Sequence, residues 1–201
     1  MIKIYMMNVG IIDPEDEKWY KNLSDRRLEK IGRLKNNSAK RRSIAAEILL
    51  NIGMDKEIQG VDHPVVWDTD DMGKPYLTDY PDIHMNITHS KDYAVCVISD
   101  KPVGVDIQYM REVDLKIAER WFTKSEQEYI KGSKNPKDAF YEIWVRKESF
   151  VKAVGTGLNM SLDSFSVLSD VVMNGNERYE LTMQKTADSE YKMCVCIKLQ
   201  G

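Results

Sequence analysis

Cysteine and histidine are both scarce in this chain, with three of each among 201 residues. Cys96, Cys194 and Cys196 are too few and wrongly spaced for a disulfide framework or a zinc site. Each lies in an apolar, strand-like run, where a thiol serves as a small buried hydrophobe. An unrelated metal-dependent phosphoesterase would draw on more His and Asp ligands than three histidines offer. No apolar run approaches the roughly 20 residues that cross a bilayer. The opening Met1-Ile2-Lys3-Ile4-Tyr5 lacks the charged-then-apolar plan of a signal peptide and reads as a first strand. Excess charge is missing too: the formal net charge is −3, which argues against a general nucleic-acid binder. Walker-type loops, Gly-x-Gly-x-x-Gly, His-Glu-x-x-His and a Gly-x-Ser-x-Gly elbow are all absent. What remains is a cytoplasmic, mixed α/β protein of ordinary composition, 42% hydrophobic and 30% charged. The length suits one large domain or two small ones.

The pattern along the chain predicts a strand at about 2–8, then the acidic turn Asp13-Pro14-Glu15-Asp16 as a helix start. From Asp25 to Arg42 the sequence turns basic. Leu28, Ile31 and Leu34 repeat there at helical spacing, which puts Lys30 and Arg33 off the buried stripe. A second helix is expected from Ala39 to Ile52, with Gly53 as its stop. Val65-Val66-Trp67 and Tyr76-Leu77 flank the turn Asp70-Asp71-Met72-Gly73 like a hairpin. Strands follow at 84–88, 93–98 and 103–108. A helix through Leu115 and Trp121 precedes a capping box at Thr123-Lys124-Ser125-Glu126. The clearest helix starts at Asn135-Pro136 and stops near Gly155 and Gly157. Strands at 162–168, 178–184 and 191–199 complete the expectation. Tyr-x-x-Cys-Val occurs at Tyr93 and again at Tyr191, a faint echo that fits two similar α/β halves, 1–102 and 103–201.

Few residues combine in a way that suggests chemistry. Asp106 and Gln108 are i and i+2 on a strand and leave the same face, with Val105 and Ile107 turned to the core. Glu148 and Lys152 are i and i+4 on the strongest helix. Two carboxylates and an amide are hard oxygen donors of the kind Mg²⁺ takes, together with waters and substrate phosphate oxygens. A lysine one turn away would neutralise a phosphate leaving group. The plainer alternative is an intrahelical Glu-Lys ion pair beside a solvated strand. His89, at a strand end, suits a phosphate contact, acid-base work or a local hydrogen bond. Lys74 in Gly73-Lys74-Pro75 is either a solvated loop charge or a phosphate contact. The basic stretch from Lys30 to Arg42 is either a solvated helix face or a site for an anionic ligand.

These stretches, taken in order, resemble the surfactin-type 4′-phosphopantetheinyl transferases over nearly the whole chain. The matching blocks are Gly73-Lys74-Pro75, Asn86-Ile87-Thr88-His89-Ser90, Val103-Gly104-Val105-Asp106-Ile107, Phe122-Thr123-x-x-Glu126 and Trp144-x-x-Lys147-Glu148-Ser149-Phe150-x-Lys152. Gly155-x-Gly157-Leu158 and Leu162-Asp163-Ser164-Phe165 extend the last. The resemblance implies two pseudo-symmetric α/β halves with coenzyme A as substrate in the cleft between them. It implies nucleotide and phosphate contacts from Lys30, Arg33, Arg42, Ser43, Lys74, Thr88 and His89. It also implies Mg²⁺, with Mn²⁺ as an alternative, on Asp106 and Glu148, and Lys152 beside the diphosphate. The partner implied is an acyl or peptidyl carrier protein, and the enzyme a monomer that uses neither nucleic acid nor membrane. Arg111 to Thr123 is one place to receive the carrier, or else an ordinary amphipathic helix. One position departs from the pattern: where the family commonly has a second acidic residue, this chain has Gln108, which could ligate the metal through its amide oxygen. A non-catalytic coenzyme A-binding regulator on the same fold is the main rival.

Overall fold

The computed structural model describes residues 2–200, apart from the side chain of Leu158, whose place in the motif therefore lies outside the described residues. The first half runs β1 (Ile2–Asn8), α1 (Asp25–Arg33), α2 (Asn37–Glu57), a short pair β2 (Trp67–Thr69) and β3 (Pro75–Leu77), then β4 (His84–Ser90) and β5 (Tyr93–Ser99). The second runs β6 (Val103–Tyr109), α3 (Lys116–Trp121), α4 (Lys124–Gly132), α5 (Pro136–Val154), β7 (Val171–Asn174), β8 (Glu177–Gln184) and β9 (Tyr191–Lys198). The sheets are antiparallel, in the orders β1-β5-β4 and β6-β9-β8-β7. In each, the strand that opens the half pairs with the one that closes it, and the penultimate strand lies on the far side. A long helix, α2 or α5, covers each sheet. This repeated topology underlies the Tyr-x-x-Cys-Val echo: Tyr93 and Tyr191 head the two closing strands and meet edge to face at 4.9 Å.

The closing strands carry the apolar runs 93–98 and 193–197 because both of their faces are buried. Ala94, Cys96 and Ile98 pack under α2, while Val95 and Val97 turn towards the other half. Cys194 and Cys196 likewise pack under α5, while Met193 and Val195 join Val103, Val105 and Ile107 in a core between the sheets. The helix-facing side of β6 is therefore left to Gly104 and Asp106. A Cβ on Gly104 would lie 2.1 Å from the Ser149 carbonyl oxygen and 2.4 Å from the Ala153 nitrogen. Glycine lets the backbone of α5 rest directly on β6, which carries Glu148 and Lys152 down onto Asp106.

A buried ion pair bolts a short helix to the long one in each half, with opposite polarity. Arg27 of α1 meets Glu47 of α2 at 2.9 Å, and Glu47 also accepts from the Ser24 hydroxyl at 3.1 Å and from its N–H. Glu126 of α4 meets Lys147 of α5 at 2.9 Å with neither side chain exposed. Lys147 further donates to the carbonyls of Leu162 (2.6 Å) and Phe165 (2.7 Å), and Glu126 accepts from the Val167 N–H at 2.8 Å.

That second bolt explains one failed expectation. The strand expected at 162–168 is a single 3-10 turn, Leu162–Ser164, followed by unpaired chain. Its ladder groups are already taken by Lys147 and Glu126, and the Val167 carbonyl by Arg146 Nε at 2.7 Å. The edge strand in this half is β7 instead, turned back by Gly175 at φ 59°. Nor does Gly53 end α2, which continues to Glu57. Gly53 is there because a Cβ would stand 2.6 Å from Ile98 Cδ1 and 3.0 Å from the Tyr5 ring. The buried stripe of α1 is also displaced: Leu28 is exposed and Arg27, held by Glu47, is buried. The acidic turn leads only to a short 3-10 helix, Glu17–Tyr20, capped by Asp16.

Replacing Gly104 with alanine forces α5 off β6 and is expected to cost about 1–3 kcal/mol or more in denaturant unfolding. Gly32→Ala, in α1 with open space around the new methyl, is expected to add roughly 0.5–1 kcal/mol in the same assay. Equal effects at the two positions would contradict this account of helix placement.

Candidate active site

Three stretches converge on Asp106, which is 2% exposed. Its Oδ1 accepts from Lys152 Nζ of α5 at 2.6 Å and from Thr88 Oγ1 of β4 at 3.0 Å. Its Oδ2 accepts from Gln108 Nε2 at 3.1 Å. Lys152 Nζ donates also to the Val105 carbonyl at 3.1 Å and to Thr88 Oγ1 at 3.3 Å. Of the two readings of the i,i+4 spacing, the Glu148–Lys152 ion pair does not form; Lys152 pairs with Asp106 on the strand beneath α5. Glu148 makes no hydrogen bond or ion pair among the described residues. Burial raises its pKa above the ordinary carboxylate value, the neighbouring Asp106 charge adds to this, and Lys152 opposes it.

Thr88 reaches Asp106 because β4 is stitched to β6 by side chains. Asn86 Oδ1 accepts from the Val105 N–H at 3.0 Å, and Ser90 Oγ from the Tyr109 N–H at 2.9 Å. Asn86, Thr88 and Ser90 are i, i+2 and i+4, so one face of β4 carries all three. Asn86 and Ser90 were legible only as members of a motif; the polar alternation within an apolar strand was the signal of their role.

The expected phosphate-binding residues divide. His89 is exposed beside Thr88. Its pKa is lowered first by desolvation and then by the positive charges of Arg42, Lys152 and Lys30. Lys30 has its own pKa lowered by burial and by Arg27 and Arg26. Arg42 donates to Ser38 Oγ at 2.6 Å. Arg33 lines one hollow together with Lys30, while Ser43 does not. Arg33 pairs with Glu29 on the exposed face of α1, and buried Ser43 accepts from Arg27 Nη1 at 3.3 Å. Lys74 stretches along Gly155 and donates to the Ala153 carbonyl at the end of α5, where a cation meets the negative end of the helix dipole.

A cavity of about 930 Å³ opens beside Glu148 and Lys152. Trp121, Trp144, Met72 and Met160 give it apolar walls, and Lys74 borders it. Gly155 and Gly157 let the chain after α5 approach the β2–β3 turn; at Gly157 (φ 55°) a Cβ would sit 3.0 Å from the Met72 carbonyl. Sequence reasoning missed this apolar chamber, since its walls come from five separate segments.

Comparison with known proteins gives this arrangement its context. Residues 102–196 match the family described as ACPS: 4'-phosphopantetheinyl transferase superfamily. The chain is 32% identical to the 4'-phosphopantetheinyl transferase Sfp of Bacillus subtilis (strain 168), over 97% of this chain and 92% of that one. The chain belongs to the 4'-phosphopantetheinyl transferase superfamily. A second Bacillus subtilis 4'-phosphopantetheinyl transferase is 34% identical over the same shares of the two chains. A solved holo-[acyl-carrier-protein] synthase from Neisseria meningitidis covers 49% of this chain and 98% of its own, with 20% identity and a TM-score of 0.39, a likeness too low to bear on the fold.

The donor set suits a hard divalent ion. Among the described residues no group of three His, Cys, Asp or Glu stands ready for a metal. Mg²⁺ needs less, since it is commonly held by one or two carboxylates with waters and substrate phosphates completing its shell. Asp106 and the unpaired Glu148 supply that much. Gln108 turns its amide nitrogen, not its oxygen, to Asp106.

Gln108→Glu sets a carboxylate against Asp106 in place of that donor. In EDTA at neutral pH the variant is expected to lose about 1 kcal/mol or more of unfolding free energy. The introduced carboxyl should have a raised pKa, so the loss is present above that pKa and disappears as pH falls through it, when the acid can donate again. Unchanged stability in EDTA would mean that position 108 does not bear on Asp106.

Proposed function

We propose that this chain transfers 4′-phosphopantetheine from coenzyme A to a serine of an acyl or peptidyl carrier protein, releasing 3′,5′-ADP. The observation that carries the reading is the Asp106–Lys152–Thr88 cluster, with Glu148 unpaired beside it, at the edge of a large apolar cavity. The family relationship supports it. The first half, 1–102, supplies the phosphate-side residues Lys30, Arg42, His89 and Lys74; the second, 103–201, supplies the carboxylates. Arg33 stands with Lys30 in one hollow, and Ser43, buried under Arg27, has the weaker claim.

In this reading Asp106 and Glu148 hold Mg²⁺ or Mn²⁺, which when bound neutralises diphosphate charge and makes the phosphorus more electrophilic. The chain's own residues do the rest. Glu148, whose side chain has no hydrogen-bond partner among the described residues, takes the proton of the carrier serine. The serine oxygen forms a bond to the pantetheine-side phosphorus as the bridging P–O bond breaks. Lys152 neutralises the charge left on 3′,5′-ADP. No side chain is acylated or phosphorylated, in keeping with the buried state of all three cysteines. The carrier meets the segment Arg111 to Thr123, where Leu115, Ile117 and Trp121 are exposed among the basic Arg111, Lys116 and Arg120 and the acidic Glu112, Asp114 and Glu119, a surface suited to an amphipathic helix. The enzyme acts as a cytoplasmic monomer in this reading; no helix among the described residues is long and apolar enough to cross a membrane.

Apo carrier protein incubated with this chain, coenzyme A and Mg²⁺ is expected to gain the phosphopantetheine mass by mass spectrometry. Asp106→Ala and Glu148→Ala are each expected to slow that gain by about 100-fold or more. Coenzyme A binding without transfer to any of several carriers would favour the regulator instead.

A further inference from the structure

The ammonium of Lys152 has three protons and three acceptors: Asp106 Oδ1, Thr88 Oγ1 and the Val105 carbonyl. None is left for a ligand. Asp106 Oδ1 is equally full, since Thr88 and Lys152 occupy both its lone pairs. The carboxylate expected to take the metal is thus already neutralised by a cation that belongs to the chain, and Gln108 covers its second oxygen on one side.

We infer that Lys152 is a tethered counter-cation that competes with the metal for Asp106, so that the metal binds well only together with a diphosphate that draws the lysine away. This rests on the assignment of Asp106 and Glu148 as metal ligands made above. Charge balance gives the direction. Asp106 and Glu148 together carry two negative charges and Lys152 one positive charge. A divalent ion alone would leave the cluster with a net positive charge. It would also leave Lys152 without its charged acceptor, or hold two cations on one carboxylate. A diphosphate reverses the sign and offers oxygens that replace Asp106 for the lysine. Metal and diphosphate therefore favour each other through the position of one side chain, a coupling that must be reciprocal. The same device keeps the buried carboxylate satisfied when the site holds neither.

Mn²⁺ serves as the probe, its free ion measured by electron paramagnetic resonance with intact coenzyme A as the diphosphate and no carrier present. Coenzyme A without protein provides the blank. Coenzyme A is expected to tighten Mn²⁺ binding by the wild-type chain on the order of ten-fold or more. In Lys152→Met, and in Lys152→Gln, which retains donors but no charge, Mn²⁺ alone should bind on the order of ten-fold tighter than to the wild type. The effect of coenzyme A should shrink accordingly. Mn²⁺ binding that is equal with and without coenzyme A in wild type, and unchanged in both variants, overturns the inference while leaving the metal assignment standing. No Mn²⁺ binding by wild type even with coenzyme A overturns both. Should neither variant fold, ammonium ¹⁵N resonances of the wild type decide. The Lys152 signal is expected to shift with Mg²⁺ and coenzyme A together, and an unchanged signal in the ternary mixture overturns the inference.

Discussion

A carboxylate removed from water is costly to hold unless charge and hydrogen bonds replace its lost hydration, and Asp106 is 2% exposed. Its compensation arrives from three directions: Lys152 from α5, Thr88 from β4 and Gln108 from its own strand. Each source makes a demand on the fold. Lys152 reaches Asp106 only because Gly104 admits the α5 backbone against β6. Thr88 reaches it only because Asn86 and Ser90 fix β4 beside β6 through main-chain groups of the other strand. The junction of the two halves and the proposed reaction centre are thus the same few side chains.

The two buried bolts support that junction from either side. Arg27–Glu47 seats α1, the helix that carries Lys30. Glu126–Lys147 seats α4 against α5 and fixes the loop through Leu162 and Phe165 that borders the cavity. Lys147 and Glu148 are neighbours in sequence with opposite fates. One is buried and fully paired; the other is half-buried and unpaired, with the raised pKa that burial beside Asp106 brings. Anchoring the first restrains the backbone that presents the second.

Local chemistry made much of this legible in the sequence. Asn135-Pro136 starts α5, Thr123 and Glu126 form a complete capping box, and β5 and β9 declare themselves by the apolar runs 93–98 and 193–197. Strand and helix periods put Asp106 with Gln108 on one face and Glu148 with Lys152 on another. What the periods do not contain is the partner. Lys152 lies 46 residues from Asp106, and nothing local distinguishes it from a lysine paired with Glu148. The strand expected at 162–168 failed for a similar reason, because the side chains that consume its hydrogen bonds come from α4 and α5. Gly53 looked like a helix stop because its real constraint, the Ile98 and Tyr5 side chains, lies on other strands. Ser43 fits a motif position, yet it is buried under Arg27.

In the proposed cycle one buried carboxylate, Asp106, exchanges a lysine for a metal when the diphosphate arrives. A crystal structure of this chain with coenzyme A and Mg²⁺ tests it most directly. The account expects Mg²⁺ on Asp106 and Glu148, with Lys152 Nζ turned from Asp106 Oδ1 to a diphosphate oxygen. A complex in which Lys152 keeps its bond to Asp106 Oδ1 while Mg²⁺ and coenzyme A are both bound would contradict it.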